Sequence, residues 1–233
     1  MATYALIHGA GDVGWYWHRV ERELRDRGHR TVAPDLPIEN DEATLLDNAQ
    51  VVVDAIRTTH EDGELMVVAQ SYGGYIAPIV AQRAMADHLV LVAPMIPQPG
   101  ETADEMWEAT RWHMPRDHSG TIAVFYHDVD PDLAAEAVSR ERRQSETTGR
   151  EPWPLDAWPD VPTHVVLCRN DRFFPPEWLR GVVRDRLGIE PDELSCGHTP
   201  ALSCPRELVE LIESYRGPTS TRAVHPSHGS TEG

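Results

Sequence analysis

Leu65-Met66-Val67-Val68-Ala69-Gln70-Ser71-Tyr72-Gly73-Gly74 joins an unbroken apolar run to a stretch of helical spacing, Tyr75–Met85. A short apolar run bounded by turn residues suits a strand buried on both faces. A serine at such a strand-to-helix junction is predicted to sit in a strained turn, its hydroxyl projecting at the carboxyl edge of the sheet. Small residues must then stand two positions before and after it. Gly73 meets that demand, and Ala69 meets it less comfortably than a glycine would. The plainer alternative is a Ser71 that merely caps the following helix.

The same alternation runs outward in both directions. Tyr4–Ile7, Thr31–Ala33, Leu65–Ala69, Leu89–Ala93, His164–Cys168 and a short segment near Leu194 read as strands. Between them, Trp15–Arg27, Thr44–Thr58, Tyr75–Met85, Glu177–Leu187 and Arg206–Tyr215 read as helices. Alternation of this kind predicts an α/β fold, a mostly parallel six-stranded sheet with helices on both faces. Strand starts are roughly 20 to 35 residues apart except between Leu89 and His164, where the interval is about 75. The excess predicts an insertion over 101–160, rich in Trp and Met and containing a helix-like run, Asp132–Arg143; a lid over a pocket is its functional reading. Residues 1–100 and 161–216 then form the core, and the Ser/Thr/Pro/Gly-rich end, 217–233, reads as a disordered tail.

The 233 residues include 21 basic and 38 acidic side chains, a net charge of −17 that repels phosphate backbones and anionic lipid surfaces. Neither nucleic acid nor membrane is expected as a partner. No apolar run approaches the ~18 residues of a membrane span, and the first one is too early and short for a signal peptide, so a cytoplasmic protein is expected. Every basic residue is Arg, which excludes any mechanism that needs a lysine. Three cysteines, Cys168, Cys196 and Cys204, read as reduced thiols rather than a disulfide framework. Although Cys196, His198 and Cys204 are close in sequence, a fourth ligand at the usual spacing is lacking, and no metal is expected.

Gly9-Ala10-Gly11-Asp12-Val13-Gly14 follows a strand and opens a helix, with Asp35 about 20 residues on. This satisfies the formal pattern of a dinucleotide-binding turn. Three features oppose that reading: His8 precedes the first glycine, the bulk of Trp15-Tyr16-Trp17 stands where a pyrophosphate must approach, and a Tyr/Lys proton relay is impossible. An NAD(P)-binding protein is therefore a minor alternative, and no cofactor is expected.

A serine hydroxyl needs a base to attack a carbonyl, and the base needs an acid to orient it. Of the histidines, only His198, His225 and His228 follow the strand His164–Cys168, and the last two fall in the expected tail. His198 lies in a turn before the final helix, whereas Asp171 sits just past His164–Cys168; no carboxylate occurs between Ala93 and Glu101. Ser71, His198 and Asp171 are thus the candidate nucleophile, base and acid. The oxyanion is expected at the backbone amides of Tyr72 and Ala10. His8 is expected to prop that loop. Substrate contacts are expected from Gly9, Trp15, Met95, Met106, Trp107 and Trp112, with Tyr72, Tyr16 and Met114 as further candidates.

His8-Gly9-Ala10-Gly11, the Gln70–Gly74 elbow, Phe173-Phe174-Pro175 and Gly197-His198-Thr199-Pro200 together resemble the α/β-hydrolases. More narrowly they are similar to the compact branch that holds plant methylesterases, salicylate-ester hydrolases and hydroxynitrile lyases. The resemblance covers about residues 3 to 216 and implies an α/β-hydrolase fold with a small helical cap. It also implies hydrolysis of a small to medium hydrophobic ester or lactone through an acyl-enzyme. Hydroxynitrile lyases of that branch carry Lys directly after the histidine, where this chain has Thr199. Dehalogenases of the fold carry Asp where Ser71 stands. The rival from another class is a small-molecule binding protein with little or no turnover. The expected partner is a small-molecule ester, and a homodimer is compatible with the sequence.

Overall fold

Strand β3 (Glu64–Gln70) lies inside a six-stranded sheet and is buried from Leu65 to Gln70 in the computed structural model, which describes residues 1–113 and 120–216. β3 pairs with β1 (Ala2–Ile7) on one side and β4 (His88–Val92) on the other. β2 (Arg30–Val32) closes one edge and β5 (Thr163–Cys168) and β6 (Asp192–Leu194) the other, in the order β2-β1-β3-β4-β5-β6. Every pairing is parallel. Parallel strands demand crossovers, and helices supply them.

Helix α1 (His18–Asp26) connects β1 to β2, while α2 (Leu45–Thr59) and α3 (Ala77–Ala84) connect β2 to β3 and β3 to β4. Right-handed crossovers running in opposite directions along a sheet place their helices on opposite faces. Hence α1 sits on one face, and α2 packs with α3 on the other. Thr44 starts α2 with a capping box: its hydroxyl accepts from the Asp47 amide, and the Asp47 carboxylate accepts from the Thr44 amide.

Among the described residues, the long interval after β4 holds four helices, α4 (Ala103–Ala109), α5 (Thr121–Phe125), α6 (Pro131–Arg140) and α7 (Glu146–Arg150). The chain then continues through β5, α8 (Pro176–Leu187), β6, α9 (Pro200–Ser203) and α10 (Pro205–Ser214), the last packed on α1. Arg186 of α8 forms a nearly buried ion pair with Glu101, tethering the start of the long interval to the core. Among the described residues no helix is long and apolar enough to cross a membrane.

Two helix starts differ from the sequence expectation. Gly14–Trp17 forms a 3-10 turn before α1, and Ser71–Tyr75 another before α3. In both places a tight turn must first bring the chain from the carboxyl edge back over the sheet. The expected tail, 217–233, and Met114 lie outside the described residues.

Candidate active site

Ser71 follows β3 directly and has a φ of +52°, a left-handed conformation that costs a residue with a side chain free energy. The turn is held from two sides. Its carbonyl accepts from the Met95 amide at 3.0 Å, and a Cβ added to Gly74 would lie 2.0 Å from the Met95 carbonyl oxygen. The methyl of Ala69 fits between Ile7 and Leu91 of the neighbouring strands without exposure.

Asp171 and His198 meet at the same edge. Asp171 Oδ2 stands 2.8 Å from His198 Nδ1, while its Oδ1 accepts the amides of Phe173 and Phe174 at 2.8 and 2.9 Å. With Nδ1–H donated to the carboxylate, Nε2 is left as the acceptor of the ring. The Gln70 side chain donates its Nε2–H to the His198 carbonyl at 3.1 Å, linking the residue before the nucleophile to the base. Phe125, Phe173 and Phe174 surround the imidazole at 5.2 to 5.3 Å between ring centroids. Ser71 and His198 line one cavity, and among the described residues no hydrogen bond joins the hydroxyl to the ring.

The glycine run after β1 packs against this edge. His8 is fully buried, with Nδ1 2.8 Å from the Gly9 carbonyl and Nε2 accepting from the Leu36 amide. Burial lowers its pKa to about 4, so it stays neutral and holds the loop. Asp35 accepts the Gly14 amide at 2.7 Å, and a Cβ on Gly14 would lie 1.9 Å from the Ala33 carbonyl. Thus the third glycine permits close approach of two loops, and the acid that mimicked a ribose partner is already used within the chain.

The cavity measures about 390 Å³. Of the residues put forward from the sequence for the oxyanion or the substrate, Ala10, Tyr72, Met95 and Trp107 line it. Gly9, Trp15, Met106 and Trp112 do not. Gly9 lies behind, where a Cβ would be 2.5 Å from Gln70 Oε1. Trp15 stacks on His18 beneath the Arg140 guanidinium, Met106 and Tyr16 are core, and Trp112 donates its indole N–H to the Phe173 carbonyl. Sequence reasoning missed Phe125, Phe173, Asp12, Asp104, Tyr126 and Glu141, all of which line the cavity. The aromatic pair was signalled only by its nearness to Asp171 and by the long interval; the acids carried no signal.

Those carboxylates make one part of the wall polar. Tyr126 donates its hydroxyl to Glu141 Oε1 at 3.0 Å. Burial, reinforced by the nearby Glu141 charge and opposed by the Val13 amide and Arg142, pushes the Asp12 carboxyl up to about 7. Burial likewise raises Glu141, against the hydrogen bond from Tyr126.

The long interval also grips the loops that carry the acid and base. Gly197 donates its amide to Asp128 Oδ2 at 2.5 Å, Thr199 its hydroxyl to the Phe125 carbonyl at 2.7 Å, and Arg172 to the Ala123 carbonyl at 2.9 Å.

A family model described as alpha/beta hydrolase family matches residues 5–211. Norfluorocurarine synthase 1 of Strychnos nux-vomica is 28% identical over 248 aligned positions, covering 90% of this chain and 93% of that protein. Methylesterase 9 of Arabidopsis thaliana is 31% identical over 88 residues, covering 35% of this chain and 34% of that protein. The chain spans about a third of the length of the first curated relatives it matches. A crystal structure of polyneuridine aldehyde esterase superposes with a TM-score of 0.78 at 18% identity, covering 92% of this chain and 98% of the other, a likeness of fold.

Proposed function

The chain belongs to the alpha/beta hydrolase family, and from that membership we propose that it hydrolyses a carboxylic ester through an acyl-enzyme intermediate formed on Ser71. The observation that carries this reading is the Asp171–His198 pair at 2.8 Å, opening on the same cavity as a serine held at φ +52°. The esterase names among the relatives support it.

In the proposed reaction Ser71 Oγ attacks the ester carbonyl carbon while His198 Nε2 takes the hydroxyl proton. Asp171, fixed by two backbone amides, receives Nδ1–H and stabilises the imidazolium. The carbonyl oxygen, now an oxyanion, is received by the backbone amides of Tyr72 and Ala10, a donor pair of the kind worth about 3 kcal/mol per member. The C–O bond to the alcohol breaks, and His198 returns the proton to the leaving oxygen. Water then attacks the acyl group by the same route in reverse and restores the serine. No step calls for a cofactor. The rings of Phe125, Phe173 and Phe174 pack around the His198 imidazole and hold its plane.

The test is covalent labelling by a fluorophosphonate probe with mapping of the modified residue, together with turnover of p-nitrophenyl acetate. Labelling at Ser71, and turnover that disappears in Ser71→Ala, are the expected results. Labelling elsewhere, or turnover that survives the substitution, refutes the assignment. An absence of turnover across an ester and lactone panel, with saturable ligand-induced thermal shifts, would make the protein a binder on this scaffold.

A further inference from the structure

Hydrophobic lining explains only part of the cavity. Asp12, Asp104 and Glu141 face it, and no arginine does among the described lining residues. The guanidinium of Arg142, whose charge acts on Asp12, donates to the Asp12 and Leu36 carbonyls and lies 3.6 Å from Glu39, so it is directed at the loop behind. Asp12 Oδ1 accepts the Val13 amide and Glu141 accepts the Tyr126 hydroxyl; among the described residues, neither carboxylate has a cationic side chain in hydrogen-bond contact. Asp12 is half-buried, and Asp104 and Glu141 are exposed at the mouth of the cavity, so the three acids make that end of it a negatively charged entrance with no cationic side chain bonded to Asp12 or Glu141 among the described residues.

An independent feature of the same cavity points to a ligand. Ser71 is 8% exposed, and its hydroxyl is without a hydrogen-bond partner among the described residues while it lines the space that the acids line. Rings from Trp107, Phe125 and Phe173 complete the wall. Carboxylates together with aromatic faces are the surroundings in which an ammonium group is held, the first by charge and the second by the ring quadrupole.

We propose that the ester accepted here carries a cationic nitrogen, which Asp12 and Glu141 receive while its carbonyl meets Ser71. The inference rests on the hydrolase reading for the position of the carbonyl. It names the substrate class that reading leaves open: basic esters in preference to purely alkyl ones. An anionic ester is rejected by the same side chains. Both acids titrate above ordinary carboxylates, with Asp35, Arg142, Tyr126 and Tyr16 as the other charged or titratable groups around Asp12, so the preference should strengthen as pH rises through about 7.

The matched pair acetylthiocholine and 3,3-dimethylbutyl thioacetate differs only by a quaternary nitrogen against a quaternary carbon. At pH 8 and low salt we expect kcat/KM to favour the cationic thioester at least about tenfold, a difference of about 1.4 kcal/mol. In the Asp12→Asn, Glu141→Gln double variant the ratio should fall to about twofold or less. Calorimetry on Ser71→Ala reads the same discrimination without turnover: tighter binding of the cationic thioester, lost when both acids are neutralised. Equal turnover of the two thioesters, or a preference that survives in the double variant, overturns the proposal. If neither is turned over and Ser71→Ala binds them alike, it is likewise overturned. If neither is turned over yet the cation binds tighter through the acids, the substrate inference stands and the hydrolase reading fails. Thermal melting of the double variant establishes that it is folded, and Glu141→Gln alone gives the ratio test should it not be.

Discussion

Both oxygens of Asp171 are occupied, Oδ2 by the His198 ring and Oδ1 by the amides of Phe173 and Phe174. Asparagine at 171 would have to turn its NH2 toward one of those donors, breaking either the loop or the tautomer of the base. We expect Asp171→Asn to lower kcat by about 10³ to 10⁴ with little change in KM, measured on a short-chain ester. Asp12 gives a prediction of another kind. Its folded pKa of about 7 exceeds the ordinary carboxylate value, so its stabilising contribution is complete below about pH 4 and is lost as pH rises through 7. Asp12→Asn should therefore melt higher relative to the parent at pH 8 than at pH 5, by some 2 to 4 °C per kcal/mol recovered. Ser71 and Asp171 were legible as candidates because each follows a plain apolar run, and His198 because it is the one histidine after His164–Cys168 that falls outside the expected tail. Asp12 and Glu141 were not, since they meet only through the path taken by the residues between β4 and β5.

Among the elements, the segment around α5 bears directly on the chemistry. Asp128, Phe125 and Ala123 hold Gly197, Thr199 and Arg172, the near neighbours of the proposed base and acid. Asp128→Ala removes the acceptor of the Gly197 amide and frees the loop that aims His198. A loss of about 10- to 100-fold in kcat with a much smaller change in KM is expected, read by steady-state kinetics. Glu101→Ala strands Arg186, 6% exposed, and should cost about 3 to 5 kcal/mol in a urea titration. The strands and long helices were legible from apolar period alone. Helices α4, α5, α7 and α9, with 7, 5, 5 and 4 residues, are too short for period to separate helix from turn. The glycine run shows a different failure: a phosphate-binding turn and a tightly packed loop both require a residue without a side chain at position 14, and only the Ala33 carbonyl tells which.

For the molecule as a whole, a net charge of −17 means that the folded surface repels itself. Raising salt from about 20 to 200 mM shortens the Debye length from about 20 Å to below 10 Å. A thermal midpoint that rises over that range is expected in scanning calorimetry; a fall would show that the ion pairs of the surface outweigh its repulsion. The order of the sheet was legible only in outline, because pairing across an interval as long as that from Val92 to Thr163 leaves no local trace. That interval has a further meaning for synthesis. The proposed nucleophile leaves the ribosome about a hundred residues before the other two members of its trio, and the strand that brings them has nowhere to dock until β4 has waited for it. On the proposed reading, a nascent chain lacks its base and acid until β5 has docked on β4. Arrested chains ending before residue 163 should stay dark to a fluorophosphonate dye that lights the finished protein.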